Sequence, residues 1–113
     1  MARGRTRRTP GVMNKTEAAY AGTLEARKAA GEVLGYWFEH QKIKLAEKTW
    51  YTPDFLVQLK DGTMEFHEVK GFWEDDARVK FKVAASMFPY VFRAFRPRAK
   101  KHGGGWEEEV IGD

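Results

Sequence analysis

Apolar positions fall at helical intervals from Asn14 to Gly31, where Ala18, Ala21, Leu24 and Ala29 line one side of the chain. Asn14 followed three residues later by Glu17 has the form of a capping box. The pattern predicts a helix from 14 to about 31, closed by Gly31 or Gly35. Beyond Gly35 the period shortens. Tyr36, Phe38 and His40, then Ile43 and Leu45, alternate with polar residues and predict a strand or a bent pair of strands. Asp54–Leu59 predicts a strand, Lys60-Asp61-Gly62 a tight turn, and Met64–Lys70 the returning strand. After Gly71, the acidic run Glu74-Asp75-Asp76 suits a helix's first turn. Val79, Val83 and Met87 recur at i, i+4 and i+8, with Phe81, Ala84 and Phe88 widening the stripe. Pro89 stops this helix, Tyr90–Phe95 predicts a last strand, and Arg96-Pro97 ends the expected compact body.

The expected order is one helix, about three strands, a second helix and a strand, which is an α/β (α+β) chain with a mixed sheet flanked by helices. Its 113 residues suffice for one domain over 14–96, with a basic arm over 1–13. The stretch 97–113 reads as basic residues, a Gly103-Gly104-Gly105 hinge and a frayed acidic tail. There is no cysteine, so disulfides and thiolate metal sites are excluded. No apolar run approaches the ~20 residues of a membrane span, and the charged start lacks the apolar stretch of a secretory signal. A cytoplasmic protein is the expectation.

The net charge of +4 is unevenly spread. Arg3, Arg5, Arg7 and Arg8 precede the body without an acid, and Arg98, Lys100 and Lys101 follow it, while Glu107, Glu108, Glu109 and Asp113 close the chain. Basic flanks beside a nearly neutral body suit phosphate contacts, because each neutralised phosphate releases condensed counterions. A solvated terminus that only aids solubility carries the same charges.

The chemistry-bearing residues are Pro53-Asp54 and Glu68-Val69-Lys70. Alternate residues of a strand share a face, so Glu68 and Lys70 project together. A two-residue loop at Asp61-Gly62 would turn Asp54 away from Glu68. A three-residue loop with left-handed Gly62 sets the two carboxylates opposite each other, ~5 Å apart at Cβ. That second register is the expected one. Two carboxylates and the Val69 main-chain carbonyl suit Mg²⁺ or Mn²⁺, and a neighbouring lysine suits phosphodiester hydrolysis. A turn-capping aspartate and a solvated Glu/Lys pair are the ordinary alternative, worth under ~1 kcal/mol.

Tyr51-Thr52-Pro53-Asp54-Phe55-Leu56 and Glu68-Val69-Lys70-Gly71-Phe72-Trp73-Glu74-Asp75-Asp76-Ala77-Arg78 resemble the PD-(D/E)xK nuclease superfamily, and within it the phage endonuclease I group of Holliday junction resolvases and related small phage proteins. The resemblance spans roughly 14–95 and is strongest over 51–78. It implies a restriction-endonuclease-like αβββαβ core and Mg²⁺-dependent cleavage of DNA. Asp54 and Glu68 would be metal ligands, Lys70 would stand beside the attacking water, and Glu17 on the first helix would complete the metal site. It also implies branched DNA as substrate and a phage protein acting in a bacterial host; because paired cuts on two strands need two sites and one small domain offers one, a homodimer is expected. Trp73 could stack on a splayed base, and Arg78, Lys80 and Lys82 could touch phosphates. A site- or mismatch-specific nicking enzyme, or a non-catalytic DNA-binding protein on the same fold, are the competing functions. His67 is expected on the opposite face as a packing residue, and His40 and His102 have no partner at ligand spacing.

Overall fold

A computed structural model describes residues 11–71 and 75–111. Helix α1 (Lys15–Ala29) starts as the sequence predicts. The Glu17 N–H donates to Asn14 Oδ1 at 2.7 Å, and the Asn14 N–H donates to Glu17 Oε1 at 2.9 Å. Gly31, at φ +82°, closes it, with the Glu32 N–H donating to the Arg27 carbonyl and the Gly31 N–H to that of Lys28. This paired closure needs a left-handed residue, the role glycine fills without a Cβ penalty.

The strands are β1 (Val33–Phe38), β2 (Ile43–Ala46), β3 (Thr49–Tyr51), β4 (Phe55–Leu59), β5 (Met64–Val69), β6 (Val91–Pro97) and β7 (Trp106–Ile111), with helix α2 (Asp75–Met87) between β5 and β6. Five strands form one mixed sheet in the order β1-β4-β5-β6-β7. Only β5 and β6 run parallel, joined through α2. The expected strand or bent pair after Gly35 divides instead into β1, which joins the main sheet, and the separate hairpin β2–β3. Setting aside that hairpin and β7, the order is α, three strands, α, strand.

The sheet separates two apolar layers. On one face α1 packs Tyr20 and Leu24 against Val33, Phe55, Val57, Val69 and Phe95. On the other, Phe81 and Ala84 of α2 and Tyr51 of β3 cover Leu56, Phe66, Phe92, Ala94 and Ile111. The α2 stripe is therefore rotated from expectation: Val79 and Met87 are about half exposed and Val83 more than a third, while Phe81 and Ala84 are fully buried. The 4-spaced valines and methionine satisfied a helical period, but the bulkier Phe81 on a neighbouring row fills the space over the sheet.

The body does not end at Pro97. Trp106–Ile111 pairs antiparallel with β6 from Phe92↔Ile111 to Pro97↔Trp106, so the expected frayed tail is a strand of the sheet. Trp106 anchors it to α1, donating from Nε1 to Thr23 Oγ1 at 3.0 Å and meeting the Tyr20 ring edge-on at 5.2 Å. Three acids in a row concealed this strand, because their charges are offset only by arginines on neighbouring elements.

Candidate active site

The β4–β5 turn fixes the register. Lys60-Asp61-Gly62 is a three-residue loop, with Gly62 at φ +91° and Leu59 and Thr63 bonded across its base. The pairing that follows runs from Gln58↔Met64 through Leu56↔Phe66 to Phe55↔His67. Continued one residue, it sets Asp54 opposite Glu68, the face-sharing arrangement expected from the longer loop.

At this end the ladder gives way to side chains. Pro53 has no amide hydrogen to contribute. The Val69 N–H donates to Asp54 Oδ2 at 2.8 Å, and the Asp54 N–H donates to Glu68 Oε1 at 3.1 Å. Each carboxylate is thus held by the opposite strand's backbone, or by the other acid's own amide. Tyr51, arriving on β3, donates its hydroxyl to the same Glu68 oxygen at 2.5 Å. Glu68 Oε2 faces Lys70, whose Nζ lies 3.3 Å away. The backbone of Lys70 is fixed by its N–H, which donates to the Phe95 carbonyl at 3.0 Å.

Asp54 and Glu68 are 2% and 3% exposed. Burial, then the Glu68 charge, pushes the Asp54 carboxyl up to about 8, with Lys70 and the Val69 N–H opposing. Burial likewise raises Glu68 against the pull of Lys70 and the Tyr51 hydroxyl. Burial, and then the Glu68 charge, push the Tyr51 hydroxyl well above its usual range. Two buried acids with one lysine hold more negative charge than the site offsets, and such a site favours a proton or a cation.

Glu17 is also buried, and its charge adds to the rise of Asp54. It comes from α1, the helix whose Tyr20 and Leu24 pack on the sheet face carrying Phe55 and Val57. Among the described residues no three acidic or histidine side chains are grouped to hold a metal ion, so Glu17, Asp54 and Glu68 do not form a ready-made three-carboxylate cage.

The other candidates among the described residues lie on α2 and in the β6–β7 connection. Arg78 pairs with Glu109 at 2.8 Å, and Lys80 Nζ donates to the Trp50 carbonyl at 3.4 Å. Arg98 donates to the Trp106 carbonyl at 3.2 Å and lies 4.0 Å from Glu107. Lys82 is exposed on α2, and Lys100 and Lys101 are exposed on a short 3-10 turn. Arg3, Arg5, Arg7, Arg8 and Trp73 lie outside the described residues.

A second buried polar chain went unforeseen. On the α1 face Tyr20 Oη lies 2.7 Å from His67 Nδ1, and His67 Nε2 lies 2.8 Å from Glu65 Oε1. Arg93 donates to both Glu65 oxygens at 3.0 and 3.1 Å and reaches Glu108 at 2.5 Å. Burial disfavours the Glu65 charge, but the His67 and Arg93 hydrogen bonds outweigh it and hold the carboxyl at about 2. An ionised Glu65 only accepts, so His67 Nε2 carries the hydrogen and Nδ1 receives the Tyr20 hydroxyl. Burial lowers the His67 pKa, in keeping with that neutral ring. The sequence signal was the alternation of Glu65 and His67 with Tyr20 on a helix facing them, but no spacing rule links positions 20, 67 and 93.

Compared with protein-family models, curated proteins and solved structures, the chain matches none of them.

Proposed function

We propose that the protein is a metal-dependent DNA endonuclease of the restriction-endonuclease-like fold, acting on branched DNA as a homodimer. The observation that carries the reading is the Asp54–Glu68 pair, set opposite across β4 and β5 with Lys70 3.3 Å from Glu68. The order of α1, β1, β4, β5, α2 and β6 around a mixed sheet supports the same fold.

The donor set fits a hard divalent cation. Asp54 Oδ2 and Glu68 Oε1 already accept backbone and Tyr51 hydrogen bonds, so Asp54 Oδ1 and Glu68 Oε2, the latter shared with Lys70, would be the carboxylate ligands, with the Val69 carbonyl as a further one. Mg²⁺ is commonly held by one or two carboxylates with water and substrate phosphate completing its shell. When bound, such a cation polarises the scissile phosphate and offsets the charge that builds on it. Tyr51 and the Asp54 amide hold the Glu68 carboxylate in one orientation. Lys70 supplies a positive hydrogen-bond donor at the exposed side of the pair, where it can orient the attacking water or hold a phosphate oxygen. Glu17 adds negative charge behind Asp54 and so strengthens the site's demand for a cation.

The near-complete burial of Asp54 and Glu68 and the lack of a third grouped acid among the described residues favour a second reading, a DNA-binding protein that keeps the fold without the reaction. One experiment separates the two. Wild type, Asp54→Asn and Lys70→Met are incubated with a four-way junction, linear duplex and single strand, in Mg²⁺ or EDTA. The nuclease reading expects Mg²⁺-dependent cuts, fastest on the junction, lost in both variants. Cleavage in EDTA or by Lys70→Met overturns the mechanism, and binding with no cleavage under any condition supports the second reading.

A further inference from the structure

An open cleft of about 530 Å³ is lined by Arg78, Arg96 and Arg98 together with Glu107, Glu108 and Glu109. Its position follows from register. Glu68 pairs with Ala94 in the parallel β5–β6 ladder, so two further residues bring Lys70 level with Arg96 on the same face, one strand away. Phe95, which also lines the cleft, accepts the Lys70 N–H. The arginines therefore continue the row of charge that begins at Lys70.

Each arginine faces an acid of β7. Glu109 holds Arg78 at 2.8 Å, and Glu107 lies 3.3 Å from Arg96 and 4.0 Å from Arg98. On the other face Glu108 holds Arg93. Acids on an edge strand also deter pairing with a second chain. That role needs charge alone, whereas these acids are aimed one by one at arginines on α2 and β6. Alternate residues of a strand stand ~6.6 Å apart, close to the separation of successive phosphates along a nucleic-acid strand. Glu107 and Glu109 thus present two anions to the arginines at phosphate-like spacing.

We propose that the Arg78–Arg96–Arg98 cleft is the binding site for the DNA backbone beside the reacting phosphate, and that Glu107 and Glu109 of β7 mask it as an internal phosphate mimic. Exposed ion pairs of this kind are individually weak, so a polyanion that contacts several arginines at once displaces them without unpairing β7 from β6. The inference takes DNA as partner from the function proposed above, but it concerns binding and needs no cleavage.

The test is fluorescence anisotropy with a labelled DNA duplex in EDTA across a salt series. Glu107→Gln/Glu108→Gln/Glu109→Gln keeps the strand's shape and removes its charge. It is expected to bind at least about tenfold tighter than wild type at ~0.1 M salt, with a log–log salt slope steeper by about 2, as two or three more phosphates are neutralised. Adding Arg96→Gln and Arg98→Gln to that variant should cancel the gain. Glu25→Gln/Glu32→Gln/Glu47→Gln makes the same change in net charge away from the cleft and should shift affinity less than about threefold. Equal gains in the two triple variants, no gain in the β7 variant, or a gain that survives loss of the two arginines overturns the proposal. Tighter binding by a protein that cuts nothing would leave the cleft standing and remove the nuclease reading. Cleavage without the binding gain would do the reverse.

Discussion

Tyr51 donates its hydroxyl to Glu68 Oε1 at 2.5 Å, tying the separate β2–β3 hairpin to the acid at the end of β5. The bond fixes which Glu68 oxygen is left to face Lys70. Removal of a partner that orients a metal-ligating carboxylate typically costs 10–100-fold in activity or metal affinity. On the nuclease function proposed above, Tyr51→Phe should therefore slow Mg²⁺-dependent junction cleavage by about that factor while the circular dichroism spectrum stays that of the wild type. A wild-type rate would show that the hydroxyl does not position Glu68.

Asp54 should make the protein less stable as the pH rises when no cation is present. Its folded pKa of about 8 stands above an unfolded value of about 3.9. A raised carboxyl contributes stability fully below the unfolded value and loses it as pH rises through the folded one. In EDTA between pH 6.5 and 9, the melting temperature of the wild type should fall, by the equivalent of on the order of 1–2 kcal/mol. Asp54→Asn should flatten that fall and melt higher at pH 8. Parallel melting curves for the two proteins across this range would contradict the buried charge.

On the opposite face, Tyr20→Phe strands the buried Nδ1 of His67, and an unsatisfied buried acceptor costs about 1–3 kcal/mol. Replacing both partners, as Tyr20→Phe/His67→Phe, should cost less than the sum of the single changes. Urea unfolding of the four proteins measures the coupling, and additive losses would mean that the bond contributes nothing. Glu65 contributes to acid stability: its lowered pKa of about 2 gives stability that is complete above about 4.5 and lost as pH falls through 2.

Removing residues 106–113 tests the status of the last strand. The cut deletes β7, with Trp106 on the α1 face and Ile111 on the other. A loss of more than about 10 °C in melting temperature, or failure to fold, is expected for a domain of this size. A frayed tail would leave the melting temperature unchanged.

Local chemistry made several features legible in the residues alone. Asn14 and Glu17 satisfy one another within one turn, and Gly31 closes α1 because it accepts a left-handed conformation. The Lys60-Asp61-Gly62 turn fixes the β4–β5 register, and that register places Asp54 opposite Glu68. None of these depends on distant parts of the chain.

Tertiary packing decided the rest, since it selects among patterns that are locally equivalent. Val79, Val83 and Met87 kept a helical period as well as Phe81 and Ala84 did, and only the volume to be filled over the sheet chose the second set. Glu107–Glu109 became strand because Arg78, Arg93 and Arg96 stand where those charges fall. The Tyr51–Glu68 bond and the Tyr20–His67–Glu65–Arg93 chain join positions tens of residues apart. A sequence sets which residues share a strand face, but the distance between faces belonging to different elements exists only once the chain has folded.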